Sequence, residues 1–167
     1  MNPDRPWLQN YPQGVPAEID PDEYRSISAV FAASVSRYGD RPAYRNMGKT
    51  LTYAEVDAAS KQFAAYLLCE LGLKKGDRVA IMMPNCLQYP IAIFGTLRAG
   101  LTVVNVNPLY TARELKHQLV DSGASAIVVV DNFGHTVQEV LADTPLKQVM
   151  TTGLGDLVGF PKSAPGS

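Results

Sequence analysis

The sequence is poor in the residues most chemistry depends on. In 167 residues it has two cysteines, Cys69 and Cys86, and two histidines, His117 and His135. The cysteines form no C-x-x-C pair and imply no disulfide framework; a reducing cytoplasm suits them. No H-E-x-x-H or Cys/His spacing points to a metal, so no metal ligand is assigned. Neither sign of charge is in excess: Lys and Arg number 15, Asp and Glu 16, for a net charge of −1. That argues against nucleic acid as a partner, and no basic cluster marks a membrane-surface patch. Long apolar runs are also missing. The most apolar stretch, Tyr89–Val106, is broken by Pro90, Gly95, Arg98 and Gly100, whereas a spanning helix needs about 20 apolar residues in succession. The first residues have no apolar core and do not read as a secretory signal. There is no G-x-S-x-G for a nucleophile elbow and no G-x-x-x-x-G-K-[ST] for a phosphate loop.

What is present is an ordinary globular composition, 46% hydrophobic and 19% charged, which supports a buried core. Residues 1–25 carry five prolines from Pro3 to Pro21 and show no periodicity. They read as an N-terminal arm docked on a surface. From Ser26 the pattern turns helical, with Ile27, Val30, Phe31, Ser34, Val35 and Tyr38 at three- and four-residue steps and Gly39 as the stop. Pro42–Asn46 and Lys49–Thr52 predict two short strands around a turn at Met47-Gly48. Thr52-Tyr53-Ala54-Glu55 fits a capping box. It should start a helix that runs to Leu71, with Val56, Ala59, Phe63, Leu67 and Leu71 as its stripe and Gly72 as its C-terminal cap.

Beyond the turn at Lys74–Asp77, strands and helices alternate. Arg78–Met83 predicts a strand buried on both faces. Asn85 is positioned to cap a following helix with Leu87, Ile91, Phe94 and Leu97 on its stripe, ended by Gly100. Leu101–Val106 predicts the next strand. Thr111-Ala112-Arg113-Glu114 is a second capping box, starting a helix that buries Leu115 and Leu119 and ends at Gly123. Ala126–Val130 is a continuous apolar strand, followed by a helix with Val137, Val140 and Leu141, and Lys147–Thr151 predicts a last strand. Such βαβ units imply an α/β fold, a three-layer αβα arrangement with a mainly parallel sheet. We divide the chain into the arm, an α/β subdomain over residues 26–151, and residues 152–167 as a flexible tail or linker. The tail has four glycines and two prolines in 16 residues. Either the sheet is incomplete here or the tail covers an open edge.

Within this frame the candidate catalytic groups have structural explanations. Glu55 and Glu114 belong to caps. His117, between Lys116 and Gln118, and His135, near a helix start, read as solvated or locally bonded histidines. Gly153-Leu154-Gly155-Asp156-Leu157-Val158-Gly159 is one residue off a dinucleotide fingerprint, but no helix pattern follows it to face a pyrophosphate.

Several blocks are more specific than their physics requires. Leu51-Thr52-Tyr53-Ala54-Glu55-Val56 resembles the first core motif of the adenylate-forming superfamily. Lys75-Gly76-Asp77-Arg78-Val79-Ala80-Ile81 with Met83-Pro84-Asn85 is similar to that family's next strand and turn, and Leu97–Asn105 to its second core motif. Leu87–Pro90, Asn105–Leu115, His117-Gln118-Leu119 and Asp121–Ala124 resemble the bacterial long-chain fatty-acid–CoA ligase branch. So do Tyr11-Pro12 and Val15–Pro21 of the arm.

The resemblance covers about residues 5–157 and implies the N-terminal part of the adenylate-forming fold, left incomplete. It implies a parent enzyme that takes ATP, Mg²⁺, a fatty acid and coenzyme A through an acyl-adenylate to acyl-CoA. It further implies a cytoplasmic protein and leaves room for peripheral association at the inner membrane face and for homodimerisation through the arm.

The motifs that carry the family's chemistry do not match. Thr151-Thr152-Gly153 is followed by Leu154-Gly155-Asp156, not Pro-Lys-Gly, and Pro161-Lys162-Ser163 comes too late. The downstream Thr-Glu pair, the ribose-binding Asp and the Lys of the mobile domain have no counterpart here. No catalytic, cofactor-binding or metal residue is therefore carried over, and the chain alone is expected to bind none of the parent's cofactors and to turn nothing over. Asn107, Tyr110 and Arg113 have turn and capping roles as the favoured assignment, with the border of a substrate cleft in the complete enzyme as the other. Two alternatives stay open: an interaction or dimerisation module that kept the fold without catalysis, and a Rossmann-like dinucleotide-binding domain.

Overall fold

The computed structural model describes residues 5–158. After a short 3-10 turn at Pro6–Asn10 with no buried residue, helix α1 spans Ile27–Tyr38, its first turn capped by Ser26, which accepts from the Ala29 amide at 3.1 Å. Strands β1 (Pro42–Asn46) and β2 (Lys49–Thr52) form an antiparallel hairpin. Its turn places both Met47 (φ 48°) and Gly48 (φ 81°) at positive φ, the geometry whose twist matches paired strands.

Helix α2 spans Tyr53–Ala65 and starts with the complete capping box. The Glu55 amide donates to Thr52 Oγ1 at 3.2 Å, and the Thr52 amide donates to Glu55 Oε2 at 2.7 Å. Then come β3 (Arg78–Met82), α3 (Gln88–Arg98), β4 (Thr102–Val106), α4 (Ala112–Ser122), β5 (Ala126–Val130), α5 (Gly134–Val140) and β6 (Gln148–Thr152). The second capping box, Thr111 with Glu114, starts α4, and Gly123 at φ 64° ends it.

The four later strands form one wholly parallel sheet in the order β4-β3-β5-β6, with the hairpin apart from it. Because side chains alternate across a strand, the two central strands feed two cores. Val79, Ile81 and Met83 join Ala126, Val128 and Val130 on one face, under Ala64 and Leu67 from the first long helical segment and Ala92 of α3. Ala80 and Met82 join Ile127 and Val129 on the other, under Leu115 and Leu119 of α4 and Val137 and Val140 of α5. This is the expected three-layer αβα arrangement. All five residues of β5 are buried, and each large aliphatic side chain so placed contributes about 1.5–3 kcal/mol of transfer free energy. A third cluster of Phe31, Leu51, Val56 and Leu87 ties α1 and the hairpin to α2 and the start of α3. There the Phe31 and Phe94 rings stack with centroids 3.8 Å apart.

The structure corrects three local expectations. The helix predicted to reach Leu71 as a uniform α-helix widens into a π-helical turn at Tyr66–Glu70, where the Leu71 amide donates to the Tyr66 carbonyl at 3.1 Å. Every residue there tolerates a helix, so no breaker in the sequence announces the wider turn. Asn85 caps nothing: α3 starts at Gln88 without a side-chain cap. The Tyr89 amide turns instead onto the Cys86 carbonyl, and the Asn85 carbonyl accepts from Asn46 Nδ2 at 3.2 Å. Pro90 fits this first turn because amides there have no intrahelical partner to lose. On α1, only Phe31 of the predicted stripe is buried; Ile27 and Val30 are exposed, since the helix meets the domain along one line only.

Candidate functional site

Open parallel sheets offer ligands the crevice beyond the strand carboxyl ends, where the strand order reverses. Here that place lies between β3, which leads to β4 on one side, and β5 on the other. Residues 83–87 leave β3 and enter α3, while Asp131-Asn132-Phe133 leaves β5 as a single 3-10 turn before α5. The residues after β6 run across this crevice. Gln88 Nε2 donates to the Gly153 carbonyl at 2.8 Å. Asp156 Oδ2 accepts from the Gly153 amide at 2.9 Å and from Thr152 Oγ1 at 3.0 Å. Leu154 packs on the core layer containing Met83, Cys86 and Val130, and Leu157 and Val158 pack on the cluster of Phe31 and Leu87.

Of the glycine-spaced segment, residues 153–158 are thus consecutive turns closed by Asp156 N to Gly153 O and Val158 N to Gly155 O. No helix N-terminus follows within them. Gly159, the rest of the predicted tail and Pro161-Lys162-Ser163 lie outside the described residues.

Three concavities lie on the described surface. An apolar one of about 440 Å³ lies between the α2–α3 layer and β6, lined by Phe63, Tyr66, Met83, Ile91, Val128 and Met150. Sequence reasoning gave no hint of it, because it depends on the π-helical turn that brings Tyr66 to its wall. A second, of about 350 Å³, lies between the hairpin and α3, with Tyr44, Cys86 and Tyr89 in its wall. Burial pushes the Cys86 thiol up from its ordinary pKa, and its Sγ lies 3.7 Å from Met83 Sδ. Burial also raises the Tyr44 hydroxyl, with Tyr53 adding to the shift.

The third is a polar groove of about 810 Å³ along α4, lined by Tyr110, Thr111, Arg113, Glu114, His117, Gln118 and Asp121. It brings together two of the three residues considered for a cleft border, Tyr110 and Arg113. The third, Asn107, spends its side chain locally, Oδ1 accepting from the Leu109 amide at 3.0 Å. His117 lines the groove beside Glu114, but that carboxylate is engaged by its own helix. The Thr111 amide and then the Thr111 hydroxyl hold the Glu114 carboxyl below its usual range, and Thr52 does the same for Glu55. His135 sits apart at the start of α5, with Nε2 3.2 Å from Thr136 Oγ1. Asp57 ties α2 to α3, accepting from Lys61 Nζ at 2.6 Å and from Arg98 Nη2 at 2.5 Å. Partial burial opposes ionisation of Asp57, yet these two hydrogen bonds outweigh it and hold the carboxyl below its ordinary range.

Among the described residues no three His, Cys, Asp or Glu side chains converge as a metal site. No described helix is long and apolar enough to cross a membrane. In a doubly wound sheet the crevice beyond the strand carboxyl ends takes a nucleotide; here Leu154 packs on the layer of Met83 and Val130 at its edge. The Gly153 amide beside it is bonded to Asp156, and no described cluster of carboxylates, thiols or imidazoles offers Mg²⁺ a site.

A family model for the AMP-binding enzyme family matches residues 31–165. The chain is 58% identical over 156 residues to the long-chain-fatty-acid–CoA ligase of Escherichia coli O157:H7, covering 93% of this chain and 28% of that protein. It is 37% identical over 163 residues to the corresponding ligase of Bacillus subtilis strain 168, covering 98% of this chain and 29% of the relative. The crystal structure of a long-chain-fatty-acid–CoA ligase from Archaeoglobus fulgidus superposes on 88% of this chain and 32% of that one. The TM-score is 0.72 at 24% identity, a likeness of fold. The chain thus spans less than a third of the length of the curated relatives it matches.

Proposed function

The chain belongs to the AMP-binding enzyme family, and from that premise we propose that it is the front segment of a long-chain fatty-acid–CoA ligase. In that reaction a fatty-acid carboxylate attacks the α-phosphate of ATP, and pyrophosphate leaves with Mg²⁺ assistance. The thiol of coenzyme A then attacks the acyl-adenylate carbonyl, forming the thioester and releasing AMP. Catalysis of such transfers is chiefly positioning and charge neutralisation. The observation that carries the proposal is the 58% identity across 93% of this chain to a ligase of that substrate class. The segment's part is to supply a rigid parallel sheet and its helical layers as scaffold, while the groups that contact ATP, Mg²⁺, fatty acid and coenzyme A belong to the rest of the enzyme. The same reading puts the protein in the cytoplasm and leaves room for peripheral association of the full enzyme at the inner face of the membrane.

The test is an acyl-CoA assay on the purified chain with ATP, Mg²⁺, palmitate and coenzyme A. No product above a blank is expected from this segment, and turnover would overturn the scaffold assignment.

A second reading, an interaction module, draws on the arm. Trp7 is 52% and Ile19 85% exposed there, which is a large apolar display for a segment with a partner. Light scattering of the chain with and without residues 1–25 decides it. Loss of a dimer on removing the arm supports the module, and monomer in both states ends it.

A further inference from the structure

The residues following β6 have the composition of a linker, yet Gly153 is hydrogen-bonded to Gln88 and Asp156, and Leu154, Leu157 and Val158 pack on the core. We infer that Gly153–Val158 is a strap that occupies the ligand position of this sheet, so that the crevice between the carboxyl ends of β3 and β5 opens only when the strap lifts.

Three independent features support it. The first is the latch. Asp156 folds back to accept from Thr152 Oγ1 and the Gly153 amide, closing residues 152–156 into a loop through one carboxylate. Gln88, the first residue of α3, donates its side-chain amide to the Gly153 carbonyl, so the loop is joined to the helix that leaves β3. The second is fit. A Cβ at Gly153 would lie 3.1 Å from Asp156 Oδ1 and 3.5 Å from Asp131 Oδ2, so the backbone there passes close to the residue that leaves β5. The strap therefore touches the exit segments of both strands at the reversal. The third is apolar anchoring. Leu154 sits on the layer of Met83, which directly follows β3, and Val130, the last residue of β5, and Leu157 and Val158 continue over Leu87. Apolar contacts at three positions in a six-residue segment bury surface that a solvated linker would leave wet.

The strap also gives Gly153 a role other than the one suggested by the dinucleotide-like spacing. A fingerprint loop presents backbone amides to a pyrophosphate. Here the Gly153 amide is spent on Asp156, and the segment covers the site instead of building it.

The test is amide hydrogen exchange, read by mass spectrometry on the whole chain, for the parent and for Asp156→Ala, Asp156→Asn and Gln88→Ala. In the parent, amides of residues 153–158 should exchange well below the unstructured rate. Asp156→Ala should speed strap exchange roughly tenfold, the equivalent of a hydrogen bond to a charged acceptor. It should also raise exchange in residues 84–87 and 131–133 beneath, with β3, β5 and α4 unchanged. Asp156→Asn keeps an acceptor oxygen and should fall between parent and Ala, and Gln88→Ala should act in the same direction as Asp156→Ala. Strap amides exchanging at the unstructured rate in the parent would overturn the inference. So would a loosened strap, in whichever variant stays folded, that leaves residues 84–87 and 131–133 as protected as before.

Discussion

Gly95 and Gly134 both lie in helices, and the same substitution at each should have opposite signs. In a helix, Ala replaces Gly with a gain of roughly 1 kcal/mol, because Gly has more backbone freedom to lose on folding. At Gly134 nothing lies within 4 Å of the added Cβ, and φ is −59°. The full gain should appear there, about 0.4–1 kcal/mol. At Gly95, on α3 where it packs against α2, the Cβ would sit 2.7 Å from Phe63 Cδ1 and 3.0 Å from the Ser60 carbonyl oxygen.

A ring can swing, but Ser60 O is helix backbone, so α3 must back away from α2. Overpacking of this kind costs about 1–3 kcal/mol, and it strains the helix pair further held by Asp57 and Arg98. Net of the propensity gain, Gly95→Ala should destabilise the chain by up to about 2 kcal/mol, which lowers Tm by up to about 8 °C at this size. Urea unfolding followed by circular dichroism, with the slope checked for constancy, measures both variants. A Gly95→Ala chain as stable as Gly134→Ala would refute the close packing of α2 and α3 on which the first core layer rests.

Other consequences stem from single residues. Thr96 is fully buried and its hydroxyl has no partner among the described residues, so Thr96→Val should raise stability by about 0.5–2 kcal/mol in the same denaturation experiment. Asp57→Asn should cost roughly 1–2 kcal/mol at neutral pH. A carboxylate held below its ordinary pKa stabilises the fold above that ordinary value and loses the contribution as pH falls through the depressed one. The gap between parent and Asp57→Asn should therefore close in acid below pH 3.8, and a gap that stays constant from pH 7 to pH 2 would contradict the ion-pair assignment. Cys69 is exposed and Cys86 buried, with the Cys86 thiol pushed up by burial. Under native conditions a thiol reagent should label Cys69 at least about tenfold faster, and equal rates would place Cys86 at the surface.

The sequence showed most clearly what local chemistry controls. Both capping boxes, the apolar run at β5 and the Met47-Gly48 turn arise from side chains within four residues of one another, and the structure places them as expected. Strand order depends instead on which buried faces match across the sheet, and parallel strands carry no turn to reveal their neighbours. The same holds for Asp57. Its pairing with Lys61 is visible at helical spacing, but Arg98 lies 41 residues away and reaches it only once α2 and α3 pack. The π-helical turn and the apolar cavity beside it left no trace because every residue concerned tolerates an ordinary helix. Leu154, Leu157 and Val158 have no periodicity, so their burial over the crevice was invisible until β6 delivered the chain there. Asn85 shows the reverse error: a good capping residue is not used when the helix starts three residues later.

The claim that this chain is the scaffold segment of a long-chain fatty-acid–CoA ligase is tested most directly by exchange. The 156 matched residues of the Escherichia coli ligase would be replaced by the corresponding residues of this chain, and palmitoyl-CoA formation measured with ATP, Mg²⁺, palmitate and coenzyme A. A folded chimera is expected, with palmitate turnover within roughly tenfold of the parent ligase, because the exchanged part supplies packing and the reacting groups stay in place. A soluble, cooperatively folded chimera that binds ATP but makes no palmitoyl-CoA would contradict it.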